Sequence, residues 1–382
     1  MTTLSRPTVA FVPRAARGFS LLELMTSITI GLLIMAGLAS VFVNSSTANK
    51  EMKNNAEQIE NGRYAIEFLT QDLRHAGYFG ELSALPAVPA TAPDPCAAPT
   101  AGVVSDTVNS ALAIPVQYVS SASIPAGCSA FLTTANLQAN SDIVVVRRAD
   151  TTQVNSAGSG TISAGLVYLQ SIADSAELQY GAGGTISNTQ NAAGAASTLM
   201  RRDFSVAATG TPPQFPQIAA SIRKYRTHVY FVAPCSVPNG GGSVCTGSAD
   251  DLGNPIPTLK RLELGAAGAF TIVPIVEGIE AIRVEYGVDN SPAAIDPGTA
   301  LPGDGLPDTF VHAPSVADMG NTVAARIYVL ARNTTASTGY KDDKTYTLGT
   351  YTTTATNDAY KRHVYGAETR IANQSGRREI PR

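Results

Sequence analysis

Residues 19–43 read FSLLELMTSITIGLLIMAGLASVFV, an apolar run whose only charge is the carboxylate of Glu23. Holding a carboxylate in hydrocarbon costs about 2.5–3.5 kcal/mol on insertion scales, so an acid in such a run implies a partner. The alternative is that Glu23 snorkels to the nearby interface. Gly18 stands at the border, preceded by a leader with Arg6, Arg14 and Arg17 and no acidic residue. A cut after Gly18 would discard the leader and keep the apolar run, the reverse of an ordinary signal peptide, which loses its apolar region.

Four cysteines, Cys96, Cys128, Cys235 and Cys245, all follow the apolar run. An even set in an exported region points to disulfides, with three connectivities open. Sequence proximity favours Cys96–Cys128 and Cys235–Cys245. No CxxC occurs, and His75, His228, His312 and His363 are scattered, so no metal site is expected from these residues. Asp289, Asp296, Asp304 and Asp308 share the loop VDNSPAAIDPGTALPGDGLPD and are weak calcium candidates. Calcium-loop spacing is absent, and Asp and Gly are ordinary turn formers, so turns are the expectation. Nothing supports an enzyme or a cofactor: there is no GxSxG elbow, and NGGGSVCTGS lacks the lysine of a phosphate loop.

These residues need elements to hold them. At 1.5 Å per residue, 19–43 spans roughly 37 Å, enough to cross a bilayer with tilt. The basic leader is expected to stay cytoplasmic. Met52, Ala56, Ile59, Ile66, Leu69 and Leu73 then recur at helical spacing, with Glu51, Lys53, Glu57, Glu60, Arg63, Glu67, Asp72 and Arg74 between them. The spacing predicts a continuous helix over 19–76, ended at Gly77, with a membrane-spanning first half and an amphipathic second half (44–80). From 81 onward the chain turns rich in Pro and Ala, then strand-like. Segments 142–149, 165–172, 226–234, 258–264, 269–276, 281–288 and 324–332 are short and β-branched or aromatic. Segments 185–198 and 347–358 read as polar surface loops or edge strands. The basic C-terminus, with Lys361, Arg362, Arg370, Arg377, Arg378 and Arg382, reads as a solvated tail more readily than as a DNA contact. The net charge of −3, from 27 Lys+Arg against 30 Asp+Glu, gives no nucleic-acid footprint.

RGFSLLE, at 17–23, resembles the processing signature of type IV pilins and the pseudopilins of type II secretion. NGRYAIEFLTQDLRHAGYFG (61–80), VEGIEAIRVEYGVD (276–289), GDGLPDTFVHA (303–313), VAARIYVLAR (323–332) and YKRHVYGAETRIANQ (360–374) are similar, in order, to the PilW group of minor pilins. Two departures stand out: 81–225 holds few landmarks, and Met319 replaces an expected aromatic. The resemblance implies an α+β pilin: a long N-terminal helix followed by a large antiparallel β-rich head over 81–382, the sheet packing on the amphipathic stripe. It also implies that a prepilin peptidase cleaves between Gly18 and Phe19 and methylates Phe19. The new amine would remain cationic and could pair with Glu23 of its own chain or a neighbour's.

The same resemblance implies a single-pass inner-membrane protein with a periplasmic head that later enters the pilus. Its role would be to prime or cap the filament in a tip complex, with other minor pilins, the major pilin and a tip adhesin as partners. Competing expectations are a type II secretion pseudopilin and a pilus-tip binding module.

Overall fold

The computed structural model describes residues 18–97, 109–156, 159–266, 269–291 and 304–379. The chain divides into two units, Met1–Lys53 and Asn54–Arg382. The first helix, α1 (Leu21–His75), contributes to both. Ser20 caps its start, the Oγ accepting from the Glu23 N–H, and Gly77 ends it in a left-handed conformation (φ +73°) that a β-carbon would strain.

Within the second unit the strands follow in chain order. The first are β1 (Val116–Val119), β2 (Ile143–Gln153), β3 (Gly160–Ile162), β4 (Val167–Ser171), β5 (Ala176–Tyr180) and β6 (Gly184–Ile186). Next come β7 (Met200–Arg202), β8 (Gln217–Ala219), β9 (Ser221–Ala233), β10 (Thr258–Leu264), β11 (Phe270–Glu277) and β12 (Ile279–Val288). The last are β13 (Thr309–Val311), β14 (Thr322–Arg332), β15 (Thr345–Leu348), β16 (Tyr351–Thr354) and β17 (Arg362–Arg370). Two short helices, α2 (Val316–Gly320) and α3 (Ala372–Arg378), flank the later strands.

A seven-stranded sheet carries the order β1-β2-β9-β10-β11, with β4 on β9 and β5 on β4; a four-stranded sheet runs β13-β12-β14-β17. All their pairings are antiparallel. The seven segments read as strands coincide with β2, β4, β9, β10, β11, β12 and β14. The structure therefore has the α+β architecture of a long helix followed by a large antiparallel β-rich domain.

The run IVVV of β2 has no polar alternation because both of its faces are covered. Val144 and Val146 join the main core with Tyr230, Val232, Leu69 and Leu73, while Ile143 and Val145 face the opposite cluster with Val229, Phe231 and the four cysteines. Ile282, Val284, Tyr286, Ile327 and Val329 of the smaller sheet complete the main core. One face of α1 thus packs where the two sheets meet.

That face differs from the expected stripe. The buried positions are Asn54, Gln58, Gly62, Ala65, Leu69, Asp72 and Leu73. Met52 and Ile59 are 64 % and 49 % exposed, and Ala56 is exposed as well. Gln58 is inside because the sheet offers acceptors there: its Nε2 donates to the carbonyls of Ala331 (3.0 Å) and Lys361 (2.8 Å). Gly62 is inside because Tyr365 lies against the helix, where an added β-carbon would overlap its ring.

The basic C-terminus is also revised. Up to Arg378 it is no free tail, since β17 pairs along β14 and α3 docks on the end of α1; Arg382 lies outside the described residues. The segment expected as a polar loop or edge strand at 347–358 forms most of the β15–β16 hairpin, and 185–198 is largely turns around the isolated bridge Gln190–Ala196.

Candidate functional site

Gly18, Phe19 and Ser20 precede the helix without regular structure and are exposed, so the Gly18–Phe19 bond is open to a protease. The leader 1–17 lies outside the described residues. Side chains from Phe19 (82 % exposed) to Val43 stand free on the helix surface, and among the described residues α1 is long and apolar enough to cross a membrane.

Hydrocarbon tolerates no unsatisfied polar group. The hydroxyls of this stretch meet that demand locally: Thr26 and Ser27 donate to the Glu23 carbonyl, and Thr29 to the carbonyls of Met25 and Thr26. The carboxylate of Glu23 has no hydrogen bond or ion pair among the described residues. Its place in the first turn suits the positive end of the helix dipole, which supplies at most about 1 kcal/mol at an exposed site, short of the cost of a buried charge.

The opposite end of α1 is anchored in the head by charge. Asp72, expected on the wet face, is buried and accepts from Arg148 Nε (2.7 Å) and from the Tyr230 hydroxyl (2.7 Å), with His228 Nδ1 at 2.7 Å. Burial by itself would raise its pKa, but the hydrogen bond and charge of His228, with those of Arg148, hold the carboxyl well below the usual carboxylate range. Asn373 Nδ2 donates to the Ala76 carbonyl (3.2 Å), and Arg377 Nη2 donates to those of Gly77 (2.8 Å) and Leu82 (3.2 Å), so α3 satisfies acceptors at the end of α1. This cap comes from residues about 300 positions away.

Both disulfides, Cys96–Cys128 and Cys235–Cys245, are formed. Two clusters bring ligand atoms close enough for a metal, Asp94 with Cys96 and Cys128, and Asp250 with Cys235 and Cys245. In each the sulfurs are already bonded to one another, which removes the thiolates that would bind an ion. Of the calcium candidates, Asp289 is buried and paired with Arg378 Nε at 2.8 Å. Asp304 accepts from Leu306 N as a turn residue, Asp308 accepts from Asn290 N across the two ends of the loop, and Asp296 lies outside the described residues. Among the described residues these acids are not gathered into one site. Lys260 carried no sequence signal: it is fully buried, its Nζ lies 3.9 and 3.8 Å from the sulfurs of Cys235 and Cys245, and burial pushes its pKa down.

Residues 13–39 match the family model of the prokaryotic N-terminal methylation motif, which spans the Gly18–Phe19 bond and Glu23. That motif at the start of an apolar helix fits a membrane-anchored pilin of the kind that is assembled into a pilus. Residues 243–373 match the model of type IV pilus-assembly protein W, which takes in β10 to β17. In these two stretches the chain is similar to PilW-type pilins that carry a prepilin-type methylation motif. Pilin domains of this kind are structural rather than catalytic. No curated protein and no solved structure matches the chain.

Proposed function

We propose that the chain is a minor pilin that primes or caps the type IV pilus within a minor-pilin tip complex. Prepilin peptidase cuts between Gly18 and Phe19 and methylates Phe19. The anchored protein then sits in the inner membrane, helix spanning and head in the periplasm, until its helix packs among those of other minor pilins and the major pilin, with a tip adhesin as a further neighbour. The observation that carries this reading is Glu23, whose carboxylate has no partner among the described residues of its own chain. The methylated amine of an adjacent subunit supplies the missing cation and fixes axial register. Support for the orientation comes from Arg6, Arg14 and Arg17 in the leader and from two disulfides, which form in oxidising compartments. A head unit running from Asn54 to Arg382 favours a special position over a densely repeated shaft position.

The test is Glu23→Gln in a strain lacking the native gene. The variant is expected to insert and be processed yet fail to restore surface pili; normal piliation would defeat the reading. Deletion separates the alternatives: loss of pili supports this role, loss of secreted hydrolases a type II pseudopilin, and intact pili with weakened adhesion a binding module. The match to pilus-assembly protein W favours the pilus over the secretion system.

A further inference from the structure

We infer that a cleft beside the β15–β16 hairpin binds a neutral pyranose sugar. The cleft has a volume of about 220 Å³ and opens where the hairpin, the loop at 138–140 and the ends of β12, β14 and β17 converge. Its floor is apolar, with Ala281 and Leu330 belonging to a small cluster closed by Leu348. Two aromatic rings, Tyr346 and Tyr351, line it. Both are fixed before any ligand arrives. The Tyr346 hydroxyl donates to Asp342 (2.9 Å), and the Arg283 guanidinium lies 3.9 Å from the centroid of the Tyr351 ring.

Charge decides the ligand class. Glu280 and Arg362 both reach the cleft, but the guanidinium is shared among the carboxylates of Glu280, Asp342 and Asp358. Three acids around one base leave negative excess and no donor from Arg362 for an incoming anion. Phosphates, sulfates and acidic sugars are therefore repelled. Unused polar groups remain at the rim: the side chains of Gln138, Asn140 and Thr353 and the hydroxyl of Tyr351 make no hydrogen bond among the described residues. Amides and hydroxyls offer donors and acceptors together, which matches a ligand bearing several hydroxyls and wastes an amine, a donor only. The ligand must also present an apolar face to tyrosine, whose ring face is electronegative and attracts the weakly positive hydrogens of C–H bonds. An uncharged pyranose combines these features, and one ring suits the size of the cleft.

The experiment uses the full chain in a detergent without a sugar headgroup. Saturation-transfer NMR and titration calorimetry are run with chitotriose, glucose, galactose and mannose, and with glucuronic acid, N-acetylneuraminic acid and arginine as charged probes. Chitotriose stands for N-acetylhexosamine glycans of walls or chitin and the hexoses for surface polysaccharides, so the probe that binds identifies the source. At least one neutral sugar is expected to bind, and Tyr351→Ala and Gln138→Ala are each expected to weaken it by an order of magnitude or more. Gln138 lies in a loop, so its variant tests the site even if Tyr351→Ala disturbs folding. Phe204→Ala, on an exposed hairpin elsewhere, should leave binding unchanged. The inference is overturned if no neutral sugar binds at tens of millimolar, if the charged probes bind instead, if both cleft variants bind normally, or if crosslinking from position 351 in assembled pili captures another subunit that sugar does not displace. The binding outcomes do not depend on whether the chain primes a pilus, and only the crosslinking outcome requires its assembly.

Discussion

Replacing Asp72 by alanine should loosen the C-terminal end of α1 from the head. The carboxylate accepts hydrogen bonds from Arg148 and Tyr230 and pairs with His228, each at 2.7 Å. After truncation Arg148, part-exposed and 3.5 Å from Asp150, can turn to that acid or to water. His228 is buried and has no such recourse, while Tyr230, also buried, keeps the neighbouring Arg261 as its remaining partner. Each buried polar group left unsatisfied costs about 1–3 kcal/mol, and breaking a buried ion pair from one side typically costs about 3–5 kcal/mol, so a loss of about 3–5 kcal/mol is expected. Asp72→Asn keeps the shape and should lose about half of that.

The effect carries a pH signature. The carboxyl is held below its ordinary value in the folded state, so its stabilisation is complete above the unfolded value of about 3.9 and disappears as pH falls through the depressed folded one. The gap between wild type and Asp72→Ala should therefore narrow steadily as pH falls below about 4. Denaturant unfolding of the detergent-solubilised chain, followed by near-ultraviolet circular dichroism of its 14 tyrosines in the absence of any tryptophan, reads both quantities. A loss under about 1 kcal/mol, less than one unsatisfied buried group, or a gap that stays constant down to strong acid would refute the assignment of Asp72 as the anchor.

Other substitutions test the packing. Gly62→Ala should destabilise by about 1–2 kcal/mol, because overlap with the Tyr365 ring outweighs the gain of about 1 kcal/mol in helix propensity; Gly31→Ala, with nothing within 4 Å, should not destabilise. Removing Cys96–Cys128, which closes a separation of 32 residues, should cost about 3.7 kcal/mol, and removing Cys235–Cys245, a separation of 10, about 2.7 kcal/mol on loop-closure entropy; denaturant curves of the paired Ser variants check the order. Arg378→Ala strands the carboxylate of Asp289, which is wholly buried, and should lower stability by about 3–5 kcal/mol in the same unfolding assay.

Local pattern made much of this legible. The apolar run, the basic leader and Gly18 before Glu23 are contiguous, and β-branched runs such as IVVV and FTIVPIV suit a pleated, buried surface. What escaped depends on partners distant in sequence. Asn54 and Gln58 look like wet-face residues, yet the acceptors for Gln58 are 273 and 303 positions away. Met52 and Ile59, by contrast, look like core and lie outside. Asp72 carries the same sequence signal as its exposed neighbours, and only the side chains of β2 and β9 give it a reason to be buried. Arg377 and Arg378 read as tail charges because nothing local reveals that carbonyls at the end of α1 and the buried Asp289 await them. Lys260, enclosed beside a disulfide, was legible by no spacing rule.

The account rests on Phe19 becoming the N-terminus and so supplying the amine that Glu23 lacks. Mass analysis of the N-terminal peptide from protein recovered from membranes and sheared pili tests this directly. A peptide beginning at singly methylated Phe19, present in both fractions, is the predicted result. A mature chain that still begins at Met1, or that is cut at another bond, would contradict it.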